Sequence, residues 1–178
     1  IYDRTLDGPE IAAIYNAGAA GKCSSCSPTP SGIVGWWPAN GNGYDTVNGN
    51  NGSLVNGVSF APGAVGQAFS FNQVNQQYVD LPFGTTSQLL TNSAGSISAW
   101  VNQAPVAVSQ FHMATAFGSG SAGEAVGFGI DNGNVRVYHH TDTFDWQTGV
   151  PVTVSTWTLI TYTWDSTTER LYKNGALA

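Results

Sequence analysis

The sequence predicts an all-β domain, a sandwich or a barrel, preceded by one short helix. From Gly32 onward, short apolar runs alternate with clusters of Gly, Asn, Ser and Pro, which is the pattern of strands joined by turns. Asp131-Asn132-Gly133-Asn134 is a strong hairpin-turn signal. Hydrophobic residues make up 42% of the 178 residues. That is enough for one domain with a core, and it excludes a disordered chain.

The only stretch with helical periodicity lies near the N-terminus. Asp7 and Glu10 have the spacing of a capping box, and Pro9 suits the first turn of a helix. Gly18 is a natural stop. The residues expected to pack this helix lie before the cap or share one face, and they are Leu6, Ile11, Ile14 and Tyr15.

The remaining elements are predicted as strands. Residues 66–71 and 77–81 look like a hairpin-connected pair. In residues 95–101, strict alternation places Ile97, Ala99 and Val101 on one face and Ser96, Ser98 and Trp100 on the other. The full set of predicted strands is 33–37, 52–60, 66–71, 77–81, 95–101, 111–117, 125–131, 135–139, 157–165 and 170–173.

The charge distribution excludes two classes of partner. The net charge is −6 and only five residues are Lys or Arg, so no basic patch can neutralise the phosphates of nucleic acids or of anionic membranes. No apolar run approaches the roughly 20 residues of a membrane-spanning helix. Charged residues make up 9% of the chain, far below the usual quarter or so. This composition is common in extracellular β proteins and predicts a secreted or cell-surface protein.

Two cysteines, Cys23 and Cys26, lie in a Ser- and Pro-rich stretch. A zinc site needs about four ligands, and no second pair supplies them. A thioredoxin-like motif would open a helix, whereas Ser27-Pro28-Thr29-Pro30 follows here. The preferred interpretation is a disulfide between Cys23 and Cys26 that constrains a linker in an oxidising compartment.

Four motifs in order resemble a laminin-G-like (concanavalin A-like) jelly-roll domain. The first is Gly35-Trp36-Trp37-Pro38 with the Asn/Gly-rich loop behind it, and the second is residues 65–71 with Tyr78-Val79. The third is residues 96–101, and the fourth is residues 157–162 leading to Leu171-Tyr172-Lys173-Asn174-Gly175. The resemblance implies two stacked antiparallel sheets.

The resemblance also implies a division of the chain. Residues 1–22 resemble the end of such a domain, in which a last strand runs into a short capped helix. Residues 23–31 read as a linker, and residues 32–178 as a jelly roll without its last strands, taken from a tandem protein. We expect material from elsewhere to complete the sandwich. Closure of a preceding domain or of a neighbouring identical subunit by residues 1–15 ranks above docking on the same chain.

The residues do not support catalysis. Family-16 glucanases on this fold carry Glu-x-Asp-x-x-Glu on one strand, because retaining hydrolysis needs two carboxyl groups close together. The three glutamates here, Glu10, Glu124 and Glu169, are far apart in sequence. No nucleophile-elbow motif opens a helix. The sequence therefore predicts a protein that is not an enzyme.

One loop is a candidate for a structural calcium ion. Asp45, Asn48 and Asn50 lie in an Asn/Gly-rich loop, where carboxylate and carbonyl oxygens can supply several of the 6–8 ligands that Ca²⁺ takes. Members of the family often hold calcium near such a loop. The alternative is that these residues only serve turns.

The candidate ligand-binding surface follows the strand at 135–139. Glycan sites combine an aromatic face with amides and carboxylates, and that combination occurs at Tyr138, His139, Asp142, Phe144, Asp145 and Trp146. The alternative is that Trp146 packs into the edge of the sandwich. Two functions are therefore carried forward. One is a binding or adhesion module for a glycan or a surface protein, and the other is a structural subunit of a fibre assembled head to tail.

Overall fold

The structure is a computed structural model that describes residues 1–18, 31–82, 93–105, 111–118, 125–139 and 145–178. The described residues form one α-helix, α1 (Gly8–Ala17), a short 3₁₀ helix (Gln73–Asn75) and antiparallel strands. The strands are β1 (Ser53–Val55), β2 (Ser59–Pro62), β3 (Gln67–Ser70), β4 (Tyr78–Asp80), β5 (Gly95–Val101), β6 (Phe111–Gly118), β7 (Ala125–Asp131), β8 (Asn134–His139), β9 (Asp145–Pro151), β10 (Thr158–Trp164), β11 (Glu169–Lys173) and β12 (Ala176–Leu177).

Most of the strands belong to two four-stranded sheets. One sheet has the order β12-β11-β10-β5, and the other has the order β6-β7-β8-β9. Two two-stranded ribbons, β1-β4 and β2-β3, come from residues 53–80. The predicted all-β sandwich with one N-terminal helix is confirmed.

The core lies between the two four-stranded sheets. One sheet contributes Val126, Phe128 and Val137, and the other contributes Ile160 and Trp164, all of them 0–1% exposed. Each of these strands places every second residue toward the facing sheet. Fully burying a large apolar side chain stabilises the fold by about 1.5–3 kcal/mol.

The predicted alternation of β5 is confirmed. Ile97, Ala99 and Val101 pack into the core between the sheets. On the opposite face, Ser96 is fully buried and Trp100 contacts the ring of Tyr15 at a centroid distance of 5.7 Å. That second face is covered by the N-terminal segment, which we define as residues 1–17.

The predicted helix and its capping box are also confirmed. The carboxylate of Asp7 accepts the N–H of Glu10, and the Glu10 side chain accepts the N–H of Asp7. Arg4 donates to both carboxylate oxygens of Glu10, which holds the pKa of Glu10 below its usual value. Leu6 and Ile11 are buried in one cluster with Tyr2 and Tyr172. The helix therefore packs on the outer face of the sheet that contains β5 and β11.

The N-terminal segment docks on its own chain. Tyr2 pairs with both Ile33 and Ser96 of its own chain, and the Thr5 hydroxyl donates to the carbonyl of Trp164 at 2.7 Å. Closure of a preceding domain or of a neighbouring identical subunit by residues 1–15 stays a prediction. In the structure the N-terminal segment covers the side of β5 that faces away from the core and shields it from solvent. The division at residues 22 and 31 stays a prediction, and residues 19–30 lie outside the described ones.

Two hairpin predictions have opposite outcomes. Asn132 and Gly133 both have positive φ, of 50° and 76°, and they join β7 to β8 in the turn that the sequence predicts. The predicted hairpin of residues 66–71 with 77–81 is wrong. In the structure β3 pairs with β2, whereas β4 pairs with β1, because residues 52–60 form two short strands with Asn56 and Gly57 at positive φ between them.

Three further strands differ between the prediction and the structure. The strand predicted at 33–37 is reduced to the single bridge between Ile33 and Tyr2. Strand β9 (Asp145–Pro151) is absent from the predicted strands, since Asp145 and Trp146 are assigned from the sequence to the candidate ligand-binding surface. Strand β12 was also missed, and it is only two residues long.

Candidate functional site

The outer face of the sheet β6-β7-β8-β9 carries a set of polar and aromatic side chains. Val126, Phe128 and Ile130 of β7 point into the core, so the alternate residues of β7 lie on the opposite face. The pairing register extends this face across the neighbouring strands. We call it the outer face and define it by Met113, Ala116, Gly127, Gly129, Asp131, Arg136, Tyr138 and Gln147.

The register arranges these residues in two rows across the sheet. In one row Met113 pairs with Gly129, Gly129 with Arg136, and Arg136 with Gln147. In the other row Ala116 pairs with Gly127, and Gly127 with Tyr138. The β7 position of each row is therefore a glycine without a side chain, and both glycines are buried. Neighbouring strands lie about 4.8 Å apart, so the first row spans about 14 Å.

The close approach of β6 requires glycine at position 127. The pairing of β6 with β7 shifts register between Met113 and Thr115, and a Cβ on Gly127 would lie 2.1 Å from the carbonyl oxygen of Thr115. The Thr115 hydroxyl accepts the N–H of Phe128 at 3.3 Å, next to this irregularity. A side chain at position 127 is thus excluded by the fold.

A polar network connects three of these residues. The Nη1 atom of Arg136 lies 2.8 Å from Oδ2 of Asp131, and Nε2 of Gln147 donates to the same oxygen at 3.1 Å. The guanidinium carbon of Arg136 lies 5.2 Å from the centre of the Tyr138 ring, within the range of a cation–π contact. The network fixes a planar cation, an amide and an aromatic ring beside one another.

His139 points the other way, into the space between the two sheets. Its Nδ1 atom lies 2.8 Å from Oε1 of Glu169 and 2.8 Å from the Tyr162 hydroxyl. The rings of Tyr162 and Trp164 are stacked beside it. Burial, and then the charge of Glu169, raises the pKa of Tyr162. The phenol therefore stays neutral and serves as a hydrogen-bonding group that connects the two sheets.

The Asp45 loop is held by hydrogen bonds to one carboxylate. Oδ1 of Asp45 accepts the N–H of Trp36 and of Val47, at 2.9 and 3.0 Å. Oδ2 accepts the N–H of Asn48 and of Asn50, at 3.2 and 3.1 Å. Burial opposes ionisation, but these four donors outweigh it and lower the pKa of Asp45.

The sequence of the chain matches a family model, the concanavalin A-like lectin/glucanases superfamily (Laminin_G_3), over residues 73–178. The match covers more than half of the chain and includes both four-stranded sheets. The chain belongs to this superfamily. The resemblance found in its motifs is therefore confirmed. No curated protein sequence matches the chain.

One solved structure is similar to this member of the superfamily. It is domain 4 of AbnA, a GH43 extracellular arabinanase from Geobacillus stearothermophilus, in complex with arabinotriose. The TM-score is 0.61 at 21% sequence identity, and the match covers 78% of this chain and 68% of that chain. At this identity the likeness shows the fold.

The described side chains of the predicted ligand surface lie on different faces of the sheet. Tyr138 lies on the outer face, whereas His139 lies between the sheets. Trp146 is opposite Val137 and packs against the core, which is the alternative weighed for it. Asp145 pairs with Tyr138 through the backbone. Asp142, Phe144 and the side chain of Asp145 lie outside the described residues, so the surface as a whole stays a prediction.

Sequence reasoning missed three residues of the outer face, Asp131, Arg136 and Gln147. Their proximity depends on the pairing of β8 with β9. A strand over residues 145–151 with Trp146 facing inward is the signal that would have placed Gln147 beside Arg136. The sequence carries that signal only weakly, because Thr148 and Gly149 interrupt the apolar alternation of this segment.

The other predicted sites remain open. Among the described residues, no three His, Cys, Asp or Glu side chains are grouped so as to hold a metal ion. Asn48 donates its side-chain amide to the carbonyl of Val34 at 3.0 Å, and the Asn50 carbonyl accepts the indole N–H of Trp37 at 2.9 Å. Calcium at Asp45, Asn48 and Asn50 stays a prediction. Cys23 and Cys26 lie outside the described residues. No helix in the described part of the chain is long and apolar enough to cross a membrane.

Proposed function

We propose that the chain is a non-catalytic, extracellular carbohydrate-binding module. The observation that supports this most directly is the outer face of β6-β7-β8-β9, where Tyr138, Arg136 and Gln147 stand side by side on rigid strands. Aromatic rings cover sugar C–H groups, and planar polar side chains bind hydroxyls. The similar arabinanase domain was solved with arabinotriose, which adds support for a saccharide ligand.

The absence of catalysis is part of the proposal. On the outer face the described carboxylate is that of Asp131, which is engaged by both Arg136 and Gln147. Hydrolysis with retention or inversion needs a second carboxyl group across the scissile bond. The superfamily also contains glucanases, so the proposal must be tested by assay.

A polysaccharide panel tests the proposed function. The whole chain is run in native gels that contain arabinan, arabinoxylan, β-glucan, galactan, mannan, pectin or hyaluronan, and reducing-sugar release is measured on the same set. We expect retardation on at least one polysaccharide and no release of reducing ends. Migration unchanged on the whole panel would contradict carbohydrate binding, and turnover would contradict the non-catalytic role.

A structural role in an assembly is the second candidate. It is supported by the N-terminal segment, which docks through a short antiparallel bridge and the apolar side chains of Leu6 and Ile11. The same segment from a second copy would make the same contacts, and successive non-reciprocal exchange would produce a filament.

A complementation experiment distinguishes a segment that docks on a second copy from one that docks only on its own chain. One variant carries Ile11→Asp, which prevents its N-terminal segment from packing. The other carries Tyr172→Asp, which prevents its sheet from accepting a segment. If copies exchange segments, mixing the two variants yields a stable mixed dimer by size-exclusion chromatography. Two variants that stay monomeric together would exclude exchange.

A further inference from the structure

We infer that Asn51 is the acceptor of a covalently attached, N-linked oligosaccharide. Asn51-Gly52-Ser53 has the acceptor sequence Asn-x-Ser/Thr with a residue other than proline in the middle, and it is the only such tripeptide in the chain. The inference goes beyond the proposed function and shares with it only the extracellular location. It assigns a modification to the chain and names the atom that carries it, Nδ2 of Asn51.

The side chain of Asn51 uses one of its two polar atoms in the fold and leaves the other for modification. Its Oδ1 accepts the backbone N–H of Asp45 at 3.0 Å. A backbone N–H can only donate, so its partner must be the amide oxygen and not the nitrogen. Nδ2 of Asn51 donates to none of the residues that the structure describes, and the residue is exposed. The atom that would be modified is therefore accessible in the folded loop.

Two neighbouring asparagines lack this arrangement. Asn48 and Asn56 are also exposed, but each uses its Nδ2 atom in the fold. Nδ2 of Asn48 donates to the carbonyl of Val34 at 3.0 Å, and Nδ2 of Asn56 donates to the carbonyl of Gln76 at 2.9 Å. Neither has a serine or threonine two positions later. The sequence requirement and the hydrogen bonding thus select the same asparagine independently.

The hydroxyl residue of the tripeptide is also accessible. Ser53 begins β1, where it pairs with Asp80, and it is exposed. Its hydroxyl group makes no hydrogen bond with any described residue. The middle residue, Gly52, is held through its backbone, since its N–H donates to the carbonyl of Gly43 at 2.7 Å. The fold therefore fixes the backbone of the tripeptide and leaves both of its polar side chains open to solvent.

The transfer preserves the contact that Asn51 makes with its loop. The donor is an oligosaccharide linked to a polyprenyl diphosphate. The bond from its anomeric carbon to the phosphate oxygen breaks, and a bond from that carbon to Nδ2 forms. The polyprenyl diphosphate leaves with the electron pair of the broken bond and takes up the proton released from Nδ2. The amide carbonyl is unchanged, so Oδ1 still accepts the N–H of Asp45.

A glycan at Asn51 would cover exposed apolar side chains. Tyr44 lies between Gly43, which is bonded to Gly52, and Asp45, which is bonded to Asn51. Tyr44 is 59% exposed, and Leu54, which follows the tripeptide, is 39% exposed. Aromatic and apolar side chains pack against the C–H groups of sugars. The first sugar rings would therefore shield this side of the chain from apolar contacts with other molecules.

Mass spectrometry of the secreted chain tests the inference. The whole chain is produced behind a cleavable secretion signal in a eukaryotic host and, as the unmodified reference, in the bacterial cytoplasm. We expect the secreted chain to be heavier by one oligosaccharide. A peptide N-glycosidase should remove that mass and convert the side chain of Asn51 to a carboxylate. A secreted chain with the mass of the reference overturns the inference.

Substitutions of serine test the assignment to this tripeptide. Ser53→Ala removes the hydroxyl group that the acceptor sequence requires but keeps Asn51 and its hydrogen bond, and it should abolish the added mass. Ser53→Thr should retain it. Ser59→Ala, at another exposed serine that begins a strand, is the matched control and should also retain it. Added mass that persists in Ser53→Ala overturns the assignment to Asn51.

Thermal melting tests whether the folded loop accommodates the glycan. In the unmodified chain, Asn51→Ala removes the acceptor of the Asp45 N–H and should lower the melting temperature by about 2–4 °C. The glycosylated wild type should melt no lower than the unmodified reference, because Oδ1 keeps its hydrogen bond. A glycosylated chain that melts as low as Asn51→Ala overturns the placement of the sugar on an outward-facing Nδ2. None of these results depends on polysaccharide binding, which is tested separately.

Discussion

Tyr2 and Ser96 exchange two backbone hydrogen bonds, of 3.0 and 3.1 Å, although 94 positions in the chain separate them. The Ser96 hydroxyl extends this contact, since it donates to the carbonyl of Arg4 and accepts the N–H of Leu6. Ser96 lies on the outward face of β5, which a sandwich open on that side would expose to solvent. The N-terminal segment is therefore part of the packed structure rather than a free tail.

Truncating the apolar side chains of this segment should destabilise the whole domain. Leu6 and Ile11 are 1% and 0% exposed, and Leu→Ala or Ile→Ala at such sites costs about 2–5 kcal/mol. We expect Leu6→Ala and Ile11→Ala each to lower the free energy of unfolding by that amount in urea denaturation. Asn16→Ala, at an exposed position of the same helix, is the control and should stay within about 0.5 kcal/mol.

What could be predicted from the sequence was local. The capping box of Asp7 and Glu10 and the alternation of residues 95–101 depend on neighbours within one element, and both are confirmed. The turn at Asn132-Gly133 is equally local, since positive φ at two successive positions favours Asn-Gly.

What could not be predicted depends on pairing between distant strands. The expected hairpin of residues 66–71 with 77–81 does not form, because β3 pairs with β2 and β4 pairs with β1. The outer face was missed for the same reason. Arg136 and Gln147 meet only because β9 pairs with β8 at one register, and a shift by one residue would turn Gln147 into the core.

Replacing Asp45 should loosen the loop that it holds. Asp45→Asn keeps the size of the side chain but turns one acceptor oxygen into a donor that faces backbone N–H groups. Hydrogen bonds to a charged group contribute about 1.5–3 kcal/mol each, and we expect a net loss of about 2–4 kcal/mol in the free energy of unfolding. Asn42→Ala, which removes a half-buried side chain that accepts the N–H of Tyr44 in the same loop, is the control and should cost less than about 1 kcal/mol.

The Asp45 contribution should also depend on pH in a defined direction. The folded pKa of Asp45 is lowered, while the unfolded value is about 4. Its stabilisation is therefore present in full above that value and is lost as the pH falls through the folded pKa. The difference in unfolding free energy between the wild type and Asp45→Asn should be constant from about pH 6 to 8 and shrink below about pH 4. A difference that does not change down to pH 2.5 would contradict this assignment.

Calcium has a testable consequence at the same loop. An ionised carboxylate has about four acceptor positions, and four backbone N–H groups occupy those of Asp45. Calcium bound by this carboxylate would have to displace some of them. We therefore expect the melting temperature to be the same in chelator and in millimolar calcium. A rise that grows with the logarithm of free calcium, and that Asp45→Asn removes, would instead establish the site predicted at Asp45, Asn48 and Asn50.

The predicted disulfide has a chemical assay. If Cys23 and Cys26 are paired, titration of the unreduced, denatured chain with a thiol reagent finds no free thiol, and reduction releases two. The intact mass should rise by two hydrogen masses on reduction. The double variant Cys23→Ser/Cys26→Ser serves as the blank. Two reactive thiols before reduction, or stoichiometric zinc, would contradict the pairing.

Removing the hydroxyl group of Tyr162, which contacts His139, should lower the free energy of unfolding by the contribution of one hydrogen bond. Tyr162 is 0% exposed, and its hydroxyl lies 2.8 Å from Nδ1 of His139, so Tyr162→Phe removes one buried hydrogen bond between the sheets while keeping the ring stacked on Trp164. We expect a loss of about 1–2 kcal/mol in unfolding free energy. Tyr78→Phe, on a tyrosine that is 52% exposed, is the matched control and should cost less than about 0.5 kcal/mol.

An absorbance titration of the tyrosines tests the same environment by a second route. Exposed tyrosines ionise near pH 10, whereas burial raises the pKa of Tyr162. Tyr162→Phe should therefore leave the reversible part of the titration unchanged and remove one phenol from the part that appears only as the protein unfolds in alkali. If Tyr162→Phe instead reduces the reversible step, the hydroxyl is accessible to solvent and does not connect the two sheets.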